Sequence, residues 1–475
     1  MSQRSALLIV LAVWAAIYLP ALGSLAIKGE EGRRILPAIS MLETGNYLVP
    51  IVGGEAYFRK PPLINWLVAV SFKVFGQRNE WTARLPSGLC VLAVAIAFVT
   101  VARATLGPRG SIMAAIIWLT SIGIIEKGRL IEIEGLYVSL CGLAIIFWLS
   151  FWEQRKAAWL IWIPASIFLG LGLLAKGPLH LVFFYAVVLA VLWKVKNWRL
   201  LFHPAHFVGI VLMLGIFAAW AVPFAQATSN ALALHKWSSQ FLGRLRGDDF
   251  KFSTWVLNIP HGLVYLLPWT FFLPLVRFSV FPEEQDRQIA RSLAWGTLVP
   301  FVVVNLVPGA LPRYSMPALV PASWLLAMTL AAENFTGPCW VGGKRFSLRS
   351  RQRMVTALAI LVCACVGVYA VAIVPKMYKK QNVKQLAAQI DAAVPRSKPV
   401  YALDPNYQPI FFYTRSKLIY VSEVSDLPTD ALYLLVRPER EQEVLDSNRW
   451  APRRPHRMFR MTDYRKESVL LLGID

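Results

Sequence analysis

Charge is scarce in this chain, and acidic charge scarcest. Of 475 residues only 16% are charged, with 27 Asp and Glu against 49 Lys and Arg, while 56% are hydrophobic. That balance excludes an ordinary soluble globular protein. Cysteine is nearly absent too. Cys90, Cys141, Cys339, Cys363 and Cys365 are scattered in or beside apolar runs, with no outer-side pair for a disulfide and no zinc spacing, so they read as small apolar packing residues. There is no repeat of fixed period and no low-complexity tract. The last hundred residues hold no Gly-rich phosphate loop, no metal cluster and no nucleophile elbow. A net charge of +22 would suit nucleic acid, but many of the cations lie in short loops between apolar runs. Anionic lipid is the simpler partner, and no nucleic acid is expected.

What is present are apolar runs long enough to cross a hydrocarbon core of about 30 Å. Windows of about nineteen residues place eleven spans, near 6–27, 84–104, 110–125, 134–151, 158–174, 178–194, 206–226, 256–277, 291–308, 314–332 and 354–374. The total could reach thirteen. Arg4 and Ala21-Leu22-Gly23 give the first run the look of a signal peptide, but it is too long for a typical signal core and is read as a helix. The expected fold is mostly α, a polytopic membrane region at 1–375 followed by a small α/β domain at 376–475. In that tail the pattern predicts a helix over Val383 to Ala393, then short apolar runs at Pro399 to Leu403, Ile410 to Tyr413, Leu418 to Val421 and Ala431 to Val436.

Loop cations set an orientation. Arg103 and Arg109, Arg155 and Lys156, Lys194, Lys196 and Arg199, Arg277, Arg287 and Arg291, and Lys344, Arg345, Arg349, Arg351 and Arg353 fall in connections that alternate along the chain. By the positive-inside rule these face the cytoplasm. With an odd number of spans the amino terminus is then cytoplasmic and the carboxyl-terminal domain extracytoplasmic, as for a multi-pass protein of a cytoplasmic membrane.

Four outer-side connections carry the candidate chemistry. The stretch 28–83 opens with Glu30-Glu31-Gly32-Arg33-Arg34 and continues to Tyr57-Phe58-Arg59-Lys60-Pro61-Pro62-Leu63-Ile64-Asn65-Trp66-Leu67. Carboxylates and fixed cations this near a bilayer edge are costly unless they do something. Glu126-Lys127-Gly128-Arg129-Leu130-Ile131-Glu132-Ile133-Glu134 places Glu132 and Glu134 at the mouth of the next helix, where the helix dipole also favours a carboxylate. A third connection offers His235, Lys236, Arg244, Arg246, Asp248 and Asp249, in a mixture that also suits a plain surface loop. The fourth, Pro308-Gly309-Ala310-Leu311-Pro312-Arg313-Tyr314, is short and rigid. Lys176, in Leu174-Ala175-Lys176-Gly177-Pro178, either snorkels to the interface or meets an anionic group.

Taken in order, Glu-Glu-x-Arg, Tyr-Phe-x-Lys-Pro-Pro-Leu-x-x-Trp, Leu-Ala-Lys-Gly-Pro and Arg-Tyr-x-x-Pro resemble the bacterial polyprenyl-phosphate-sugar-dependent glycosyltransferases. That group holds the aminoarabinose transferase of lipid A and the protein O-mannosyltransferases. The resemblance covers roughly residues 1–375. It implies a GT-C fold with an outward-facing cavity under the first loop, and sugar taken from a lipid carrier rather than from a nucleotide. It also implies roles. Glu30 falls where the family usually has a catalytic aspartate, Glu31 and Arg33 match the next positions, and Lys60 matches the lysine that contacts the carrier phosphate. Glu134 stands at a second acidic position. Arg59 replaces a glutamate that binds metal in some members. No metal ligand and no cofactor is therefore assigned, although a divalent metal stays open.

The chemistry suits the residue types. As the sugar leaves its lipid phosphate, Arg33, Arg59, Lys60, Arg244 or Arg313 would meet the growing charge, with Lys176, Tyr57 and Tyr314 as anionic-group or structural contacts. Glu30, Glu31 or Glu134 would take the acceptor proton, and direct displacement would invert the anomeric centre. The acceptor (lipid A, glycan, lipid or protein) and the sugar are not encoded in these motifs. Two other readings stand: a non-catalytic polyprenyl-lipid-binding relative, suggested by the residues at 30 and 59, and a lipid or solute transporter, for which no inverted repeat is visible.

Overall fold

Apolar composition becomes helix wherever backbone groups must be satisfied without water, because a helix closes its own hydrogen bonds. The computed structural model describes residues 1–52, 55–228, 250–333, 335, 347–403, 409–463, 466 and 468–475. Among these, seven helices are long and apolar enough to cross a membrane: Glu80–Thr100, Ile133–Glu153, Ala158–Ala175, Pro204–Thr228, Glu284–Leu306, Pro312–Ala331 and one beginning at Leu348. Two further pairs pass only if each bent pair is one span. Arg103–Thr120 and Ile122–Gly128 meet at 62°, and Phe252–Val264 and Trp269–Leu275 at 85°. Two shorter apolar helices, Gln3–Tyr18 and Leu179–Lys194, underlie the remaining expected segments.

Three boundaries differ from expectation. The first helix stops at Tyr18 rather than 27, because Pro20 follows and Ala21 takes φ +54°. The expected 110–125 span bends at Ser121, whose extended ψ of 127° interrupts the helix while its hydroxyl donates to the Ile117 carbonyl. The expected 256–277 span breaks in the stretch that contains Pro268.

The chain forms two compact units. The first comprises Met1–Pro20, Phe58–Ile64 and Arg84–Val368. Here Trp14 donates to the Gly88 carbonyl at 2.8 Å and Tyr18 to that of Leu119 at 3.0 Å. Arg129 donates to the carbonyls of Ile17 and Pro20 at and just beyond the first helix's end, where a cation complements the dipole. Helices approach closely at small residues, the usual means of association in lipid. A Cβ on Gly142 would lie 2.4 Å from Val320 Cγ2. Valine is stiff at χ1, so Gly142→Ala should force the two helices apart and cost about 1–3 kcal/mol. Its denaturation midpoint in mild detergent should drop accordingly, and an unchanged midpoint would show that the contact is slack.

The second unit comprises Ala21–Tyr57, Asn65–Ala83 and Tyr369–Asp475, so it takes in much of the 28–83 stretch as well as the tail. That stretch is not merely a loop. It holds the helix Gly32–Thr44, the short hairpin β1 (Ile51–Val52) and β2 (Glu55–Ala56), and most of the helix Leu63–Phe75. The tail folds into β3 (Val400–Leu403), β4 (Leu418–Val421), β5 (Tyr433–Val436), β6 (Pro455–Thr462) and β7 (Ser468–Ile474), in the order β4-β3-β5-β7-β6. β3 pairs parallel with β4 and β5, whereas β7 pairs antiparallel with β5 and β6. Alternate side chains fill two cores. Ala402, Leu435 and Leu471 pack with Ala387 and Ile390 of the helix Val383–Ala393, while Leu403, Leu434 and Leu470 pack with Trp450 on the other face. Ala26 joins the first core. Buried Glu80 ties the unit further: Lys384 lies 2.6 Å from it, and Tyr413, which accepts the Ile27 N–H, donates to it at 3.0 Å.

Candidate active site

Glu134 sits in the first turn of the helix Ile133–Glu153, with extended Glu132 as the N-cap. The chain can turn this tightly because Gly135 packs against the preceding segment: a Cβ there would lie 2.8 Å from the Lys127 carbonyl oxygen. The carboxylate is buried and shared. Lys176 Nζ approaches Oε1 at 3.1 Å, and Arg313 Nε approaches the same oxygen at 3.2 Å. Lys176 ends the helix Ala158–Ala175 and is followed by Gly177 at φ +126°, a conformation that favours glycine. Arg313 lies in the short helix Pro312–Ala318, started by a proline in its first turn.

Aromatic rings complete the lysine's surroundings. Its ammonium lies 4.6 Å from the Tyr314 ring centroid and 5.1 Å from that of Tyr137, distances at which ring faces attract cations. His180 braces the turn, with Nδ1 2.9 Å from the Gly177 carbonyl oxygen and Nε2 2.9 Å from that of Leu169. Lys176 is thus held inward by a carboxylate and two rings, and does not snorkel. One buried carboxylate faces two cations, Lys176 and Arg313.

Beside this lies a second, oppositely weighted group. Lys127 pairs with Glu126 at 2.8 Å and with Glu132 at 2.9 Å, two carboxylates on one cation. Burial pushes the Glu132 carboxyl above the usual carboxylate range, against the pull of Lys127, and the neighbouring Glu134 adds to the rise.

In the second unit, Glu30 is half exposed, with a side chain 47% accessible, and lies 2.8 Å from Arg33 and 3.6 Å from Arg34. Glu31 is buried and accepts the Lys28 N–H at 3.1 Å, bracing the turn. Arg34 is buried too. It donates to the Tyr57 hydroxyl at 2.8 Å, and its carbonyl accepts the Asn65 amide at 2.7 Å. Arg34 has no role assigned from sequence, although its spacing of four from Glu30 is one at which charges pair across a helical turn.

Arg59 is exposed and Lys60 half-buried, both in the first unit just before Pro61. Thus Glu134, Lys176, Arg313 and Tyr314 are brought together in the first unit, and Glu30, Arg33 and Tyr57 share the second with Glu31. Arg244 lies outside the described residues, as do His235, Lys236, Arg246, Asp248, Asp249 and Cys339. Among the described residues no group of three or more His, Cys, Asp or Glu is placed to hold a metal ion.

The family described as dolichyl-phosphate-mannose-protein mannosyltransferase matches residues 59–222. An undecaprenyl phosphate-alpha-4-amino-4-deoxy-L-arabinose arabinosyl transferase of Pseudomonas fluorescens is 27% identical over 70% of this chain and 60% of its own length. One from Pseudomonas aeruginosa is 26% identical over 77% of this chain and 66% of its own. The first of these matches therefore spans about three fifths of the relative it aligns with. The crystal structure of ArnT from Cupriavidus metallidurans bound to undecaprenyl phosphate superposes with a TM-score of 0.74, covering 99% of this chain and 97% of that one at 15% identity. Its apo form gives 0.71. This chain has the GT-C fold of the ArnT structures, and in its sequence it is similar to the undecaprenyl phosphate-alpha-4-amino-4-deoxy-L-arabinose arabinosyl transferases.

Proposed function

We propose that this chain is an integral membrane glycosyltransferase that moves a sugar from a polyprenyl-phosphate carrier to an acceptor on the outer face of the cytoplasmic membrane. The observation that carries this reading is the gathering of Lys176 and Arg313 on buried Glu134 in a GT-C fold. A buried carboxylate that fixes two cations gives a preorganised place for negative charge, and such groups act strongly where water is scarce. The relatives named above, and the undecaprenyl phosphate in the Cupriavidus structure, make a polyprenyl phosphate the natural leaving group here. A 4-amino-4-deoxy-pentose is the first sugar to test. The acceptor supplies a hydroxyl or phosphate oxygen, which attacks the anomeric carbon as the C–O bond to the carrier phosphate breaks. The proton goes to a carboxylate and the configuration inverts.

Roles divide as follows. Arg313 and Lys176 meet the carrier phosphate, with Lys60 and Arg59 of the same unit as further cations; Arg33 and Arg244 keep the phosphate-binding role that their residue type alone suggests. Glu134 holds the first two in place. Glu30 is the acceptor-activating base, and Glu31 and Tyr57 fix the turn and the arginine beside it. The membrane part at 1–375 is the catalytic domain, with eleven spans and a cytoplasmic amino terminus. The carboxyl-terminal α/β domain from 376 is extracytoplasmic and accessory. No step calls for a metal.

Purified protein given undecaprenyl-phosphate-linked aminoarabinose and lipid A should yield glycosylated acceptor and free carrier phosphate. Tight donor binding without transfer to any acceptor would instead favour the non-catalytic reading, which Glu30 and Arg59 at family-altered positions keep in view. Lys60→Ala should weaken donor affinity roughly tenfold or more, as removal of a charged hydrogen bond worth about 1.5–3 kcal/mol would. Normal donor affinity in titrations of that variant would take Lys60 out of the phosphate site.

A further inference from the structure

At the far end of the helix that carries Glu134 in its first turn the first unit holds a cavity of about 530 Å³, unrelated to the chemistry above. The helix Ile133–Glu153 separates the two by about 28 Å at 1.5 Å per residue, close to a full hydrocarbon thickness. Trp152, Ile161 and Leu200 give the cavity apolar walls, and Arg155, Lys156 and Asn197 give it a polar rim. Glu153 is also a lining residue, with the Thr105 hydroxyl as its hydrogen-bond partner. Arg155 and Lys156 are exposed, and neither has a carboxylate partner among the described residues.

Two independent features set the surroundings of this cavity apart. Trp159, Trp193 and Trp198 are 48%, 68% and 38% exposed in the segments that border it, the aromatic placement typical of the headgroup level. The second is in the backbone. The helices Ile133–Glu153 and Leu179–Lys194 end in the same motif, with the N–H of Arg155 on the Trp152 carbonyl and that of Lys156 on Phe151, and the N–H of Lys196 on Trp193 and that of Asn197 on Leu192. The left-handed residue of that motif is usually glycine. Here it is Arg155 at φ +53° and Lys196 at φ +54°, a conformation costly for a side chain. Strain of this kind persists where the side chain has a use.

We infer that this cavity binds a phospholipid of the leaflet opposite the Glu134 end, with Arg155 and Lys156 on its phosphodiester and an acyl chain along Trp152, Ile161 and Leu200. A free phosphate offers the same anion without the chain, so the two sources separate by experiment. The variant Arg155→Gly/Lys156→Ser removes both cations while placing glycine where the backbone prefers it, so folding should not suffer. In native mass spectrometry of the full chain in mild detergent, phosphatidylglycerol should bind the wild type and dioleoylglycerol should not. The variant should bind phosphatidylglycerol at least tenfold more weakly, with a melting temperature in lipid-free detergent no lower than wild type. Arg349→Ser/Arg353→Ser, which removes two exposed cations elsewhere, should bind as the wild type does. Equal weakening in both variants, or none in the first, would overturn the site. Competition by millimolar inorganic phosphate as effective as that by phosphatidylglycerol would overturn the lipid.

Discussion

Glu30→Gln is expected to turn over about 10²–10⁴-fold more slowly than the wild-type protein, the range that general acid–base catalysis contributes. The substitution keeps the shape and the hydrogen bond to Arg33 but removes the ability to take a proton from the acceptor. Donor binding should therefore survive, and the loss should appear in kcat at saturating donor. Glu30 suits the role because it is half exposed and lies 2.8 Å from Arg33, whereas Glu31 is buried on a backbone N–H. Glu30→Asp, which shortens the side chain by one methylene, should keep more activity than Glu30→Gln. A single-turnover assay with a verified acceptor decides the matter. Wild-type rates in Glu30→Gln would move the base elsewhere, and Glu132, whose carboxyl burial raises, is then the first alternative.

That alternative shows what sequence patterns carry and what they miss. The helix Val383–Ala393 has the ends its apolar spacing predicts, because Val383, Ala387 and Ile390 form one face and that face is buried. The strands at Val400, Leu418 and Tyr433 coincide with the expected apolar runs for the same reason. β6 was missed, since Pro455–Thr462 is largely exposed and carries cations and methionine rather than a clean alternation. β7 was missed with it, although Ser468–Ile474 is a continuous apolar run of the kind that marks a buried strand. The helix Gly32–Thr44 has the sequence of a charged loop, opening on Gly32 and two arginines and containing Pro37. Site residues follow a similar division. Glu134 at a helix mouth is a local feature and was legible. Its pairing with Lys176 and Arg313 joins three distant segments, and no spacing in one sequence encodes which cation a buried carboxylate will meet.

The pairing itself makes the other large prediction. Glu134→Gln leaves Lys176 and Arg313 without their shared carboxylate, and the two cations are not equally able to escape. The Arg313 side chain is 37% exposed and can turn to water, whereas that of Lys176 is 8% exposed and confined between Tyr137 and Tyr314. Breaking a buried pair from one side typically costs about 3–5 kcal/mol, because the remaining charge stays buried and uncompensated. Glu134→Gln should lower stability by about that amount, read as a shifted denaturation midpoint in bicelles. Removing both charges should be milder, because replacing a buried pair as a whole is often nearly neutral. The double variant Glu134→Gln/Lys176→Gln is therefore expected to regain most of the lost stability but not donor affinity, since the positive charge that meets the phosphate has gone with the lysine. If each single variant were as stable as the wild type, the carboxylate would not be holding the lysine. If the double variant bound donor normally, Lys176 would have no part in the phosphate site, and Arg313 would carry that role without it.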